Sequence, residues 1–316
     1  MEHSVTQGIS SLLVLLDFFI ESFLFYLIVF KTSKAMAKFK TYLTLLCMNS
    51  LFMSVNMGFV WQPQFLTPPV CVYSSGPFSR FVSSTILVAT EAALIVQNLQ
   101  FLLLSYYFVY SQMNCNVGSS TSYGRVAFEV LFVALPAVCA FILMFYGNSS
   151  DSYIENHTAQ KLRDHPNMIC YFIGDFQADG LIHYAMAFIS LCTVLFVLFT
   201  AFLLVQIRRR LKNPPSYMSD HTLQLHSMFF TNIVVQSITP LVCVLLPILT
   251  LVASLLVGGE HTPSAAVFQF VSITCLLNSI ISSSLIIYLT KPYREYVLSI
   301  FKVCKEKLTE LSHCES

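Results

Sequence analysis

The sequence predicts an all-α membrane protein, in which a bundle of seven transmembrane helices is followed by a short amphipathic helix in a cytoplasmic tail. Hydrophobic residues make up 56% of the 316 residues and charged residues only 10%, whereas soluble domains carry about 25% charged residues. Seven apolar stretches reach the roughly 20 residues that a helix needs to cross a bilayer. The basic residues collect on one side of these stretches, as they do in cytoplasmic loops.

Each apolar stretch is assigned to one membrane-spanning helix. Pro136, Pro240 and Pro247 fall inside spans, where neighbouring helices can satisfy the freed backbone groups, so we expect kinks rather than helix ends. The first span is expected to be retained, because its flank carries no Lys or Arg and no small-residue cleavage pattern follows it. The predicted spans are residues 9–30, 42–62, 81–110, 126–146, 181–207, 227–257 and 265–290. An extracellular N-terminus (1–8), a membrane domain (9–290) and a tail (291–316) follow from these bounds.

The basic residues predict the orientation of the bundle. Only Arg80, Lys161 and Arg163, of the 17 Lys and Arg residues, lie on the side opposite to the others. The crowded side therefore faces the cytoplasm and the N-terminus faces out. Two glycosylation sequons, at Asn148 and Asn156, fall in the 147–180 loop that this orientation places outside.

Two of the ten cysteines stand apart from the rest. Cys71 and Cys170 are the only ones predicted on the oxidising side of the membrane. A disulfide that joins the 63–80 loop to the 147–180 loop is therefore expected. The cysteines inside spans are expected to act as small apolar fillers.

Three motifs resemble those of one receptor family. Residues 30–36 read FKTSKAM and residues 40–43 read KTYL, similar to an FKTPKxM…KxYL loop. Residues 291–295 read KPYRE, similar to an HKPYRE ending. The sixth span carries a spaced pattern at Thr222, Leu225, Phe229, Gln236 and Pro240. In this order and spacing the motifs resemble nematode chemoreceptors of the Str superfamily, nearest the Srh class. Residues 102–107 read LLLSYY where that class often carries a charged ENR stretch, so the chain resembles a divergent member.

This resemblance implies a G-protein-coupled chemosensory (olfactory-type) receptor for a small molecule. It further implies a heterotrimeric G protein as partner. It also implies a location in the plasma membrane, which for this family is that of a sensory cilium. A seven-span solute transporter is the main alternative, but the chain shows no internal repeat of the kind that such transporters carry. An accessory membrane protein is the other alternative.

Polar residues inside the spans are candidates for ligand binding. Glu91 lies in the third span, and Asn98 shares its helix face seven residues on. Together with Gln236 they form the predicted ligand-binding set. The alternative for Glu91 is a protonated carboxyl group bonded to a neighbouring helix. The alternative for Asn98 and Gln236 is that they form hydrogen bonds between helices. Asp17 and Glu21 share one face of the first helix. For this pair either one group is protonated or both face a wet crevice, and an interfacial polar patch is the alternative.

At the predicted inner side, a basic run and the start of the tail are candidates for G-protein coupling or for anchoring to anionic lipid. They are Arg208, Arg209, Arg210, Tyr293 and Arg294. The tail continues with apolar residues at helical spacing and lysines between them, which predicts an amphipathic helix on the inner leaflet.

Several kinds of chemistry are not expected. No His and Cys cluster has metal-site spacing, and no nucleophile–base pair or phosphate-binding loop appears. We expect neither an enzyme nor a cofactor nor a metal site, and no nucleic-acid partner.

Overall fold

The computed structural model describes residues 2–32, 37–66, 70–78, 81–114, 123–146, 169–171, 180–214, 220–247, 249–250 and 265–314. Within these residues, seven helices are long and apolar enough to cross a membrane, which confirms the predicted fold class. An eighth helix follows the seventh. The helices are α1 (Glu2–Lys31), α2 (Ala37–Val55), α3 (Ser84–Asn114), α4 (Tyr123–Tyr146), α5 (Gly180–Lys212), α6 (Asp220–Pro240), α7 (Ala265–Leu289) and α8 (Lys291–Cys314).

Two of the helices continue into short π-helical segments. The segment π1 (Asn56–Trp61) extends α2 and ends at Gln62, whose φ of 46° is left-handed and whose N–H bonds the Met57 carbonyl at 3.1 Å. The segment π2 (Leu241–Leu245) follows Pro240 directly. Proline lacks an N–H and disturbs the preceding turn, and π segments are a known cause of helix kinks. The segment π2 thus begins at one of the three prolines where a kink is expected, whereas Pro136 lies within the unbroken helix α4.

A small antiparallel sheet, which the sequence analysis treated as loops, covers one end of the bundle. Its strands are β1 (Pro63–Leu66), β2 (Val70–Ser74) and β3 (Ile169–Tyr171), in the order β1-β2-β3. We call this the sheet end, where α1, α3, α5 and α7 begin. The opposite end, where α8 begins, is the tail end.

The seven helices differ in how deeply they are buried. In the most apolar stretch of each span, 61% of the residues of α3 are buried, against 11% for α4. Helix α3 is therefore central and α4 peripheral.

An apolar cluster at the tail end joins α1, α3 and α8. The side chains of Tyr106 on α3 and Tyr293 on α8 are fully buried in it, together with Leu24 and Ile28 of α1. This cluster fixes the tail helix against the bundle.

Candidate functional site

A densely hydrogen-bonded polar group among the described residues of the bundle is the carboxylate of Glu21 on α1. The Cys47 thiol donates to its Oε2 at 2.6 Å, and the hydroxyls of Ser279 and Ser283 donate to its Oε1 at 2.8 and 2.7 Å. Ser50 of α2 in turn donates to Ser279 at 2.9 Å. Residues four apart lie on one face of a helix, so the α7 pair Ser279 and Ser283 can meet the same carboxylate. These bonds join α1, α2 and α7.

Asp17 lies one helical turn from Glu21, at the same contact between helices. Both side chains are only 1% exposed, which agrees with the shared helix face predicted from their spacing. The hydroxyls of Ser54 and Ser279 face Asp17 as hydrogen-bond donors, although neither forms a hydrogen bond of ordinary geometry with its carboxylate oxygens. We call the group that the two acids form with their neighbours the carboxylate cluster; its members are Asp17, Glu21, Cys47, Ser50, Ser54, Ser279 and Ser283.

Glu91, a predicted ligand-binding residue, is buried between α2 and α3. Its Oε2 accepts a hydrogen bond of 2.8 Å from the Asn56 amide, which also contacts the Leu87 carbonyl at 3.3 Å. The side chain is 4% exposed. This is the geometry of a carboxyl group bonded to a neighbouring helix, the alternative that the sequence left open.

The other two predicted ligand-binding residues lie nearer the middle of the bundle. Asn98 lines a cavity of about 10 Å³ together with Met53, Pro240 and Asn278, which is about the size that holds one water molecule. Gln236 is buried on α6. The Asn278 Oδ1 and the Gln236 Nε2 atoms have no partner within the described part of the chain.

A second cavity, of about 20 Å³, lies at the sheet end between α1, π1, β1 and α7. The Gln269 amide donates to Gln64 Oε1 at 3.4 Å, and the Gln62 amide donates to the Ser11 hydroxyl at 3.1 Å. The polar residues that line the cavity are uncharged; they are Ser10, Gln62, Gln64, Gln269 and Ser272. The cavity has room for about one water molecule, and its lining offers uncharged donors and acceptors of hydrogen bonds.

The predicted coupling residues lie at the tail end, in two different environments. Arg208, Arg209 and Arg210 are exposed at the end of α5. Beside them a groove of about 490 Å³ opens between α5 and α6. It is lined by Leu211 of α5 and by the α6 residues Leu223, Gln224, Ser227, Met228 and Thr231. The basic run and the groove form one exposed surface.

Tyr293 and Arg294 are adjacent in α8 but are placed differently. Tyr293 is 0% exposed, and its hydroxyl bonds the Thr32 hydroxyl at 2.7 Å. Burial raises the pKa of Tyr293, so the phenol stays neutral. Arg294 is exposed, with its guanidinium 5.9 Å from the centre of the Tyr288 ring.

Helix α6 is held at the tail end by two buried hydrogen bonds. The Tyr106 hydroxyl of α3 donates to the Ile233 carbonyl at 3.3 Å, and the Asn232 amide donates to the Thr290 hydroxyl at 2.9 Å. Sequence reasoning missed the roles of Tyr106, Cys47 and Ser283. The i, i+4 spacing of Ser279 and Ser283 was the available signal for one of them.

The remaining predicted residues concern the sheet end. In the β2–β3 register Cys71 lies directly opposite Cys170, so the backbone brings the two predicted partners together. Asn148 and Asn156 lie outside the described residues.

No curated protein sequence matches the chain. Among solved structures, the crystal structure of squid rhodopsin matches with a TM-score of 0.63 and 12% identity, over 96% of this chain and 88% of the rhodopsin chain. That likeness establishes a seven-transmembrane receptor fold. The family described as "Serpentine type 7TM GPCR chemoreceptor Srh" matches residues 2–303. The chain therefore belongs to the Srh family of serpentine seven-transmembrane chemoreceptors.

Proposed function

We propose that this chain is a chemosensory receptor of the plasma membrane, with the sheet end outside and the tail end in the cytoplasm. The observation that carries the proposal is the charge asymmetry of the bundle. Every Lys and Arg of the described residues lies at the tail end, and cytoplasmic loops are the ones enriched in basic residues. Family membership supports a sensory role, with the cilium of a chemosensory neuron as its expected place.

The ligand of this receptor is a small neutral molecule that forms hydrogen bonds. It enters at the sheet end, where the water-sized cavity with its lining of amides and hydroxyls widens around the bound molecule. Glu91, Asn98 and Gln236 lie deeper in the bundle and respond to the bound molecule.

The intracellular partner is a heterotrimeric G protein that binds the groove between α5 and α6. Arg208, Arg209 and Arg210 flank this groove. The same residues can instead hold anionic lipid, at about 1 kcal/mol per basic residue. Tyr293 and Arg294 form the junction through which α7 and α8 contribute to coupling.

The outer side carries a Cys71–Cys170 disulfide and glycans at Asn148 and Asn156. Residues directly opposite each other on antiparallel strands have Cα atoms about 4.5–5.5 Å apart, which lies within the Cα separation of about 4.4–6.8 Å that a disulfide allows. Replacing either cysteine by Ser lowers surface expression equally, and the double variant is no worse than either single one. Additive losses would exclude the bond, since partners in one bond share one energy.

The function is tested in cells that express the full chain with a tag after Ser316. A panel of neutral odorants is applied while a G-protein activation sensor and the uptake of the same solutes are recorded. We expect activation without uptake, and a tag that antibodies reach only after permeabilisation. Uptake without activation would make the chain a transporter, and a tag reached on intact cells would reverse the orientation.

Two variants localise the ligand. Gln269→Leu removes an amide from the sheet-end cavity and is expected to reduce odorant potency at least tenfold at unchanged surface level. Gln206→Leu makes the same change in α5, near the tail end, and should leave potency unchanged. Equal potency for Gln269→Leu and the parent would remove this cavity from the ligand path.

A further inference from the structure

Strand β1 forms one wall of the sheet-end cavity, opposite the wall that the helices provide. Gln64 of β1 and Gln62, which precedes the strand, line the cavity on the side of the sheet, and Gln269 of α7 lines it on the side of the bundle. The volume of about 20 Å³ holds about one water molecule. A larger ligand can occupy this place only if one wall moves, and the two edges of the sheet differ in how firmly they are held.

The edge of the sheet beside α2 and α3 is fixed by bonds to the backbone. The Ser74 hydroxyl donates to the Trp61 carbonyl at 2.7 Å, and the Gly76 N–H donates to the same carbonyl at 3.1 Å. The Ser74 N–H in turn donates to the hydroxyl of Ser84, the first residue of α3, at 3.1 Å. A Cβ on Gly76 would collide with the Val60 carbonyl oxygen, so the chains are in close contact there. We call these residues, Trp61, Ser74, Gly76 and Ser84, the root of the sheet.

The edge of the sheet beside α1 and α7 is held by side-chain amides. The Gln269 amide donates to Gln64 Oε1 at 3.4 Å, which is longer than the usual range for a hydrogen bond. The Gln62 amide donates to the Ser11 hydroxyl of α1 at 3.1 Å, at an exposed position. Such bonds contribute little net stability, because water takes the place of the lost partner. We call the Gln269–Gln64 and Gln62–Ser11 bonds the latch.

Gln62, which joins π1 to β1, lies at the point about which the sheet can turn. Its φ of 46° is left-handed, a conformation that raises the free energy of a residue with a Cβ. Its N–H donates to the Met57 carbonyl at 3.1 Å, and its carbonyl accepts from the Ser75 hydroxyl at 2.8 Å. Conformations of this kind persist only where neighbouring contacts enforce them, and they are common in ligand clamps and switch regions. Loss of the Ser11 bond removes one of these contacts.

We propose that the sheet is a lid over the ligand cavity, which stays fixed at its root and opens on the side of α1 and α7. Opening turns the backbone at Gln62 and breaks the latch, so that β1 moves away from α7. A ligand that binds the open lid more tightly than the closed one shifts the balance toward the open state. The lid accounts for how the cavity widens around a ligand, and in that respect it rests on the proposed function.

The test measures how fast a thiol in the cavity wall reacts with a water-soluble reagent. Ser272→Cys places the thiol on α7 inside the cavity. The probe is a charged methanethiosulfonate, applied to the purified full chain in lipid nanodiscs without odorant or G protein. The same chain without Ser272→Cys gives the background from the native cysteines.

The latch variants are made in the Ser272→Cys chain. We expect slow labelling while the latch is intact, and a severalfold faster rate with Ser11→Ala or Gln269→Leu. Thr90→Ala is the control, because it removes a hydroxyl that bonds the Ile86 carbonyl of its own helix at 2.7 Å, and it should leave the rate unchanged. The Tm of every variant is measured alongside, so that opening of the lid is distinguished from loosening of the whole bundle.

Three outcomes would overturn the lid. The first is rapid labelling of the Ser272→Cys chain with its latch intact, and the second is an unchanged rate in both latch variants. The third is a faster rate that Thr90→Ala shares or that only follows a fall in Tm. If Gln269→Leu does not fold, Ser11→Ala decides alone, since its side chain is exposed. A chain whose labelling responds to the latch but which no odorant activates would keep the lid and lose the proposed function.

Discussion

The side of the bundle formed by α1, α2 and α7 differs from the side formed by α4 and α5. On the first side, buried carboxylates, hydroxyls and a thiol bond across the helix contacts. On the second side, only 11% of the residues in the most apolar stretch of α4 are buried, and only 22% of those in the most apolar stretch of α5. Most of their large apolar side chains face outward, Leu131 and Leu198 among them.

The difference shows where the specificity of the fold resides. Lipid tails are as apolar as leucine, so helices in a membrane gain little from apolar contact with one another. Close packing and interhelical hydrogen bonds hold them together instead. The α1–α2–α7 side supplies both, whereas the α4–α5 side needs mainly lipid-compatible surface. Substitutions of the same kind should therefore cost more on the first side.

Replacing Glu21 by Leu should produce the largest loss. It leaves the donors of Cys47, Ser279 and Ser283 without their acceptor, and a buried unsatisfied group costs about 1–3 kcal/mol. We expect a loss of roughly 3 kcal/mol or more in stability, measured as a drop in Tm of the purified chain. Glu129→Leu makes the same change on α4, where the side chain is only half-buried and bonds Tyr42. An equal Tm loss for the two variants would contradict the comparison.

Replacing Gly58 by Ala should produce the next largest loss. A Cβ at this position in π1 would collide with a Val14 methyl group of α1 and come within 3.0 Å of Leu276 of α7. Overpacking of this kind costs about 1–3 kcal/mol, which Tm measurements would detect. Gly8→Ala is the matched control, because nothing lies within 4 Å of a Cβ there and alanine is the better helix former. A Gly58→Ala chain as stable as the parent would show that α1 and α7 can move apart freely.

The sequence was sufficient to predict the helices but not their contacts. Apolar runs longer than a bilayer thickness gave all seven spans, and the spacing of Asp17 and Glu21 gave their common face. The helices extend beyond the runs, as α1 does from Glu2, because backbone hydrogen bonding continues into polar segments. The partnership of Asn56 with Glu91 depends on how two helices are rotated against each other, which the spacing within either helix does not determine.

The sheet end was predicted less completely than the spans. Short strands such as β3, with three residues, carry too few residues for an alternating pattern to stand out. The expected link between the 63–80 and 147–180 loops nevertheless identified the segments that pair in the sheet. The signal there was that both cysteines are predicted on the oxidising side of the membrane. This signal comes from the order and orientation of the spans and not from the local sequence of either loop.

Replacing Tyr293 by Phe tests the α1 side at its tail end. The variant keeps the buried ring but loses the 2.7 Å bond to Thr32, and we expect a cost of about 1 kcal/mol. Tyr288→Phe removes a hydroxyl from an exposed ring and should cost less. Thermal unfolding of the two purified variants compares them directly. If Tyr288→Phe proved the more harmful, the Thr32 bond would not be what holds α8.

Replacing Arg294 by Ala should have the smallest effect on stability and a larger one on coupling. The side chain is exposed, and surface substitutions usually change stability by less than about 0.5 kcal/mol. A basic residue here can reach lipid phosphates or the last carbonyls of α7, so it holds the bend between α7 and α8. If this bend is part of the coupling junction, odorant binding stays nearly intact while G-protein activation per surface receptor falls. Lys302→Ala removes an exposed basic residue further along α8, and it serves as the control for a purely lipid-anchoring role. G-protein activation and the number of receptors at the surface, measured in the same cells, decide between the two roles. If the Arg294→Ala receptor activates the G protein as strongly as the parent per surface receptor, Arg294 serves only as an anchor.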